Sequence, residues 1–225
     1  MTKKNHELIK YLKTFISEDR YKLFKKKIDE RTQHITVVLE DIFQSRNIAA
    51  SIRSADCFGI QNVHIIENQN IFQDDTEVSL GASKWIDINR YNQKKENTVN
   101  AITKLQKKGY QIIATTPHNA DIELFDLDIS KKKTAIIFGS EINGCSENAL
   151  KLADQKMTIP MYGFSESFNI SVSVSLCLQH LVYKMRKSKI DWKINKKEQN
   201  EIVLRRLKNS LKSSTRIEAR YLENL

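Results

Sequence analysis

Apolar positions recur at three- and four-residue spacing through residues 6–29: Leu8, Ile9, Leu12, Phe15 and Ile16, then Tyr21, Leu23, Phe24 and Ile28. That spacing predicts a helix, with Ser17-Glu-Asp as the point where it divides in two. The pattern then changes. Residues 35–40 (Ile-Thr-Val-Val-Leu-Glu) are nearly all apolar and β-branched and predict a strand. A helix follows over 47–58, with Asn47 as its candidate N-cap, and a strand over 62–66. Residues 67–83 are polar and show little periodicity. Trp85–Arg90 reads as a short strand, 95–108 as an amphipathic helix ended by Gly109, and Tyr110–Thr116 as a strand stopped by Pro117. Strands are predicted again at 134–138 and Lys156–Ile159, with a short helix over Ser146–Ala153 between them. Residues 168–186 form a long helix apolar on most faces, read as buried, and about 195–222 a basic helix. Strands alternating with helices predict an α/β domain on a largely parallel sheet with helices on both faces.

The length of 225 residues suits one domain with appendages and a core that needs no disulfide or metal. No apolar run approaches the ~20 residues of a membrane helix. Met1-Thr-Lys-Lys-Asn-His lacks the apolar stretch of a signal peptide, so a cytoplasmic protein is expected. Cys57, Cys145 and Cys177 are far apart and odd in number, which argues for reduced thiols rather than a disulfide framework or a zinc site.

The net charge of +10 is unevenly spread. Residues 1–34 carry a net +5 and residues 184–225 a net +8, while 35–183 carry −3. Basic ends on a slightly acidic body are the footprint of a polyanion partner. Charge alone leaves three readings open: nucleic acid, an anionic membrane surface, or solvated lysine-rich faces.

Much familiar chemistry is absent. There is no G-x-G-x-x-G, no phosphate-binding P-loop, no G-x-S-x-G elbow, and no metal-ligand spacing among the five histidines. What remains is polar residues at three strand ends, where open α/β sheets bind ligands. These are Arg46–Arg53, Phe138–Gly144 and Ile159–Asn169. Each residue also has a structural reading: Asn47 as a cap, Arg53 paired with Asp56, Glu141 in a helix first turn, Ser167 and Asn169 as caps.

Together the three segments resemble the SpoU branch of the SPOUT RNA methyltransferases, which 2′-O-methylate ribose using S-adenosylmethionine. Asn47 through Arg53 to Gly59 matches the pattern N-x-x-A-x-x-R-x-x-x-x-x-G of the first family motif. Ile136-Ile-Phe-Gly139-Ser-Glu141-x-x-Gly144 resembles the second, and Ile159-Pro160-Met161 through Ser167-Phe-Asn169-Ile-Ser-Val the third. Leu80-Gly-Ala-Ser-Lys84-Trp85 is similar to a further family segment, and the matches cover about residues 35–186.

The resemblance implies a methyltransferase domain over 35–186 with a deep trefoil knot at about 134–186, flanked by basic helical extensions at 1–34 and 187–225. It also implies a homodimer, with neither metal nor membrane involved. The layout of the terminal helices is similar to that of the branch acting on tRNA guanosine 18. Ribosomal RNA, another tRNA position, or RNA binding without catalysis are the alternatives. By resemblance, Asn47, Arg53, Glu141, Ser167 and Asn169 would form the catalytic site. Backbone near Thr115, Gly139, Ile159 and Phe168 would cradle the cofactor, Gly139 because a missing Cβ allows close approach. Phe168 stands where the family more usually has leucine. Arg20, Arg31, Lys84, Arg205, Arg206 and Lys208 would bind RNA phosphates. The family's basic residue near the end of the 168–186 helix falls on Met185 without gaps, and the role is carried to Arg186. The resemblance implicates Arg53 in activating the hydroxyl. Arginine stays protonated, so a grip on the adjacent phosphate is the other assignment.

Overall fold

Strand β1 (Ile35–Glu40) is buried along its whole length, as expected of a β-branched run covered on both faces. The structure, a computed structural model, describes residues 3–73 and 76–223. Residues 1–2 of the N-terminal stretch and 74–75 of the polar stretch read above lie outside the described residues. The chain divides into two units, one of residues 32–192 and one joining the residues up to Arg31 with those from Lys193 onward.

In the first unit, helix α3 (Ser45–Cys57) follows β1 and precedes β2 (Asn62–Ile66). A helical turn at Thr76–Ser79 and a 3-10 turn at Ala82–Lys84 lead to β3 (Asp87–Tyr91). Next come α5 (Asn97–Lys107), β4 (Tyr110–Thr115), β5 (Ile122–Glu123) and β6 (Lys133–Phe138), counting the Thr76 turn as α4. Helix α6 (Glu147–Leu152), β7 (Gln155–Thr158) and α7 (Ile170–Lys187) complete it. The strands are all parallel, in the order β3-β2-β1-β6-β4-β7-β5. Alternate residues face opposite sides. Val37, Leu39, Ile136 and Phe138 join a core with Ile48, Ile52, Leu178 and Leu181 of α3 and α7. Val38, Ala135 and Ile137 join another with Ile102, Leu105 and Ala149 of α5 and α6.

Several expectations are corrected. The helix around Asn47 starts earlier, with Gln44 as its N-cap, so Asn47 lies inside the first turn. The strand expected at Trp85–Arg90 begins at Asp87, because Trp85 closes the 3-10 turn. Helix α7 is not buried all round. Its core face is Val174, Cys177, Leu178, Leu181 and Met185, while Val172, Leu176 and Tyr183 are exposed.

The second unit holds α1 (Lys3–Lys13), α2 (Glu18–Asp29), α8 (Lys196–Ser210) and α9 (Ser214–Glu223). Ser17 caps α2, and the helix expected over 195–222 breaks at Leu211. The two terminal segments, up to Arg31 and from Lys193, form one compact unit. Each helix carries an apolar stripe that it cannot bury alone. Leu8, Ile9 and Leu12 of α1 and Phe24 and Ile28 of α2 are buried where both helices pack on α8 with its Ile202, Val203 and Leu207.

Candidate functional site

A cavity of about 510 Å³ opens at the carboxyl ends of β4, β6 and β7. Here β6 is inserted between β1 and the earlier strand β4, and open parallel sheets bind ligands at the carboxyl ends of their strands. Thr115 and Thr116 border it from β4, residues 138–145 from β6, and Met157–Ile159 from β7. Met161 and Glu166–Ile170 form another wall. Among the described residues, the charged ones in its lining are the carboxylates Glu141 and Glu166, with no lysine or arginine.

The turn after β6 is shaped by Gly139. A Cβ there would meet the Cys145 amide nitrogen and the Gly144 carbonyl carbon at 2.0 Å. The turn closes on two backbone bonds, Ser140 N–H to Gly144 O at 3.0 Å and Gly144 N–H to Ser140 O at 2.9 Å. The chain's own backbone thus requires glycine at this position. Gly144 has a φ of 65°, which lets the turn reverse.

A hydrogen-bond network crosses the mouth. Asn169 caps α7, its Oδ1 accepting the Ser171 amide at 2.9 Å and the Ser171 hydroxyl at 2.7 Å. Its Nδ2 donates to Asn47 Oδ1 at 3.1 Å. Asn47 Nδ2 donates to Glu141 Oε1 at 2.7 Å, and the Phe43 amide donates to the other carboxylate oxygen at 3.1 Å. Two donors that follow β1 thus hold both oxygens of a carboxylate that follows β6, and Asn169, ahead of α7, joins them through Asn47. Small side chains let α3 and α7 approach, and the Ser54 and Ser175 hydroxyls meet between them at 2.8 Å.

Of the residues singled out in the sequence, Thr115, Gly139, Ile159, Phe168, Glu141, Ser167 and Asn169 all line the cavity. Asn47 joins them through the network. Glu141 occupies a turn ahead of α6 rather than a helix first turn. Arg53 does not line the cavity. It lies on the exposed face of α3 and makes no ion pair, with Asp56 or otherwise, among the described residues.

The basic residues separate by burial. Arg20, Lys84, Arg186 and Arg205 are exposed, Arg186 with its guanidinium 4.6 Å from the Trp192 ring centre. Met185 beside it is fully buried, while Arg186 and Lys187 of the same turn are exposed. Lys208 is half-buried and paired with Glu218 at 2.7 Å. Arg31 and Arg206 are only 8% and 6% exposed.

Sequence reasoning missed Glu40. It is buried at the end of β1 and accepts from the Thr98 hydroxyl at 2.6 Å, the Ser146 amide at 2.9 Å and the Ser146 hydroxyl at 2.6 Å. Ser146 is the N-cap of α6 and follows the 139–145 turn directly, so Glu40 fixes one cavity wall. A carboxylate closing an otherwise apolar strand is the signal that could have found it. Cys145 also lines the cavity, its Sγ–H donating to Thr115 O at 3.4 Å. Burial pushes this thiol up to about 12, so it stays neutral.

Comparison with known proteins bears on this geometry. The family model described as the SpoU rRNA Methylase family matches residues 34–179. A tRNA (guanosine(18)-2′-O)-methyltransferase of Borreliella burgdorferi is 39% identical over 214 residues, covering 95% of this chain and 94% of the relative. Among solved structures, the Aquifex aeolicus TrmH/SpoU tRNA modifying enzyme superposes with a TM-score of 0.77 at 21% identity, covering 86% of this chain and 98% of its own. The methyltransferase AviRb of Streptomyces viridochromogenes, solved with AdoMet, gives a TM-score of 0.57 at 21% identity over 73% of this chain and 62% of its own.

Proposed function

The chain belongs to the SpoU methylase family, and on that premise we propose that it transfers a methyl group from S-adenosylmethionine to the ribose 2′-hydroxyl of tRNA guanosine 18. The observation that carries the substrate is the similarity along nearly the whole chain, terminal helices included, to a relative of that activity. The basic, exposed Arg20 and Arg205 of the helical unit and Lys84 and Arg186 of the sheet unit supply phosphate contacts.

The cavity suits this cofactor. Its volume of about 510 Å³ lies within the usual range for a ligand of that size. Its lining offers two carboxylates and no cation, which fits a ligand bearing a sulfonium and an ammonium better than one bearing phosphates. Thr115, Gly139, Ile159 and Phe168 would hold it. When bound, S-adenosylmethionine supplies an electrophilic methyl group.

Little covalent work is left to the chain, so its contribution is positioning and electrostatics. Asn169 and Asn47 hold the Glu141 carboxylate in one orientation at the mouth, and Ser167 lines the same cavity. Arg53 stays protonated and cannot act as the base. It grips the phosphate next to the target ribose, and a phosphate oxygen or water takes the hydroxyl proton. Because Arg53 lies outside the cavity of its own chain, it meets the ribose from the RNA side or across a dimer.

The same reading includes the homodimer, a cytoplasmic protein, and a trefoil knot over about 134–186. The exposed stripe Val172, Leu176 and Tyr183 on α7 supports a dimer face. Among the described residues no helix is long and apolar enough to cross a membrane.

The test is methyl transfer from labelled S-adenosylmethionine to unmodified tRNA transcripts, with nucleotide mapping, for wild type and Arg53→Ala. Label at guanosine 18, lost in Arg53→Ala, is expected. Label on ribosomal RNA alone would discard the substrate. Undiminished RNA binding with no label anywhere would discard the enzyme.

A further inference from the structure

The segment between β7 and α7 is anchored at both ends, by pairing in the sheet and by the Asn169 cap. Between these anchors it holds two aromatic rings in water. Tyr162 is 95% exposed and Phe164 fully so. Across the mouth stands Ile142, 84% exposed, in the turn that carries Glu141, and Phe43, exposed, donates its amide to that same carboxylate. Folding does not explain four large apolar side chains in solvent around one polar network. Met161, next to Tyr162, lines the cavity, so the rings stand at its rim.

We propose that Tyr162 and Phe164 form a stacking platform for the nucleobase of the nucleotide being methylated. The inference rests on the methyl-transfer reading above. A ribose presented to the cavity carries its base on the carbon next to the one bearing the 2′-oxygen, so the base must lie within a few ångströms of the mouth. What the mouth offers is apolar and aromatic. Residues 139–146 and 159–169 contain Glu141 and Glu166 and no lysine or arginine, so this rim offers backbone phosphates no cation of its own. A flat, uncharged base has a π-face that such rings accept, and RNA-binding proteins read splayed-out bases in this way. The rings would draw the target nucleotide out of its own stack and hold it while the ribose is positioned. Tyr162 and Phe164 are thus substrate-positioning residues, distinct from the cofactor wall and from the α7 stripe.

The test uses the full chain, with Tyr162→Ala, Phe164→Ala and the double variant beside Tyr162→Phe and Phe164→Tyr. A tRNA transcript carrying 2-aminopurine at position 18 is the optical probe, and unmodified transcript is the kinetic substrate. Wild type is expected to quench the 2-aminopurine on binding, and the double alanine variant to leave it bright. Each alanine should lower kcat/KM for tRNA by roughly 10- to 100-fold, the loss of one stacked base. The aromatic exchanges should restore it. Cofactor affinity by calorimetry and sedimentation mass should not change in any variant.

Quenching and kcat/KM within twofold of wild type in the double alanine variant would overturn the platform while leaving the transfer reading intact. A fall in sedimentation mass would also overturn it, assigning the rings to contact with a second copy. Failure of wild type to methylate any tRNA transcript would sink the transfer reading, and the platform with it.

Discussion

Asn169 donates from Nδ2 to the Asn47 Oδ1 at 3.1 Å, joining residues 122 positions apart. The direction of that bond is forced. Asn169 must keep its oxygen toward the Ser171 amide that it caps, so its nitrogen faces Asn47. Asn47 must then present its own nitrogen to Glu141. One helix cap thereby orients a carboxylate on another strand end.

Capping and orienting can be separated by substitution. Asn169→Ser keeps an oxygen for the Ser171 amide and removes the donor to Asn47. Its thermal midpoint should stay within a few degrees of wild type, whereas Asn169→Ala should lose about 1 kcal/mol. Both should lower kcat, by roughly 10- to 100-fold if the freed Asn47–Glu141 pair reorients. Calorimetric melting beside transfer rates measures the two effects, and a fully active Asn169→Ser would show that the cap alone matters.

Gly139 is held by its own chain. Since an added Cβ would lie 2.0 Å from backbone atoms of residues 144 and 145, Gly139→Ala must open the turn. A cost of at least ~2–3 kcal/mol is expected, in the range of overpacked sites. Cofactor affinity should fall with it, because the turn is a cavity wall. Denaturant unfolding and calorimetric titration of S-adenosylmethionine test this. Unchanged affinity in a folded Gly139→Ala would separate the turn from the binding site.

The legible parts of this fold were those where one local signal dominates. Strands β1 and β2 could be placed to the residue because each is dominated by β-branched residues, which fit a pleated sheet better than a helix. The two-residue β5 carries no pattern of its own and exists only because β7 offers it an edge. Helix α7 looked buried all round because apolar side chains on a helix do not say which face meets the core; Val172, Leu176 and Tyr183 are exposed. The candidate site was legible as residue types at strand ends. Its wiring was not, since the Asn169–Asn47–Glu141 chain depends on tertiary register. Glu40 was hidden for the same reason: its partners Thr98 and Ser146 are far away in sequence.

The buried histidine of β2 predicts how stability responds to acid. His64 meets the Tyr91 hydroxyl at 3.0 Å, and burial, helped by the charge of Lys108, pushes its pKa down to about 3. The unfolded chain takes up a proton here as pH falls through about 6.5, while the folded chain does not until about 3. Stability contributed by the neutral ring is therefore full above pH 6.5 and lost as pH falls from there toward 3, by at most ~1.4 kcal/mol per pH unit. Urea unfolding of wild type and His64→Gln at pH 7 and pH 5 checks the sign. The variant should be less stable at pH 7, and its deficit should shrink by up to roughly 2 kcal/mol at pH 5. A deficit independent of pH would mean that only packing is lost.

Arg205 and Arg206 are adjacent in α8 and should fail in opposite ways. Arg205 is exposed, and Arg206 is buried with Ile202, Val203 and Leu207 on the packed side of the helix. Removing Arg205 takes one cation from the surface proposed to meet RNA. Its alanine variant should keep wild-type stability, bind tRNA more weakly, and show a salt dependence of log K shallower by about one unit or less. Removing Arg206 takes away a buried stem together with the polar contacts of its guanidinium. Arg206→Ala should lower stability by about 1–3 kcal/mol. Once folded, it should leave the salt slope as it was. Binding isotherms at several salt concentrations, with melting curves on the same samples, decide the matter. If Arg206→Ala flattens the salt slope while Arg205→Ala does not, the buried arginine reaches RNA after all, and the helical unit must open to bind.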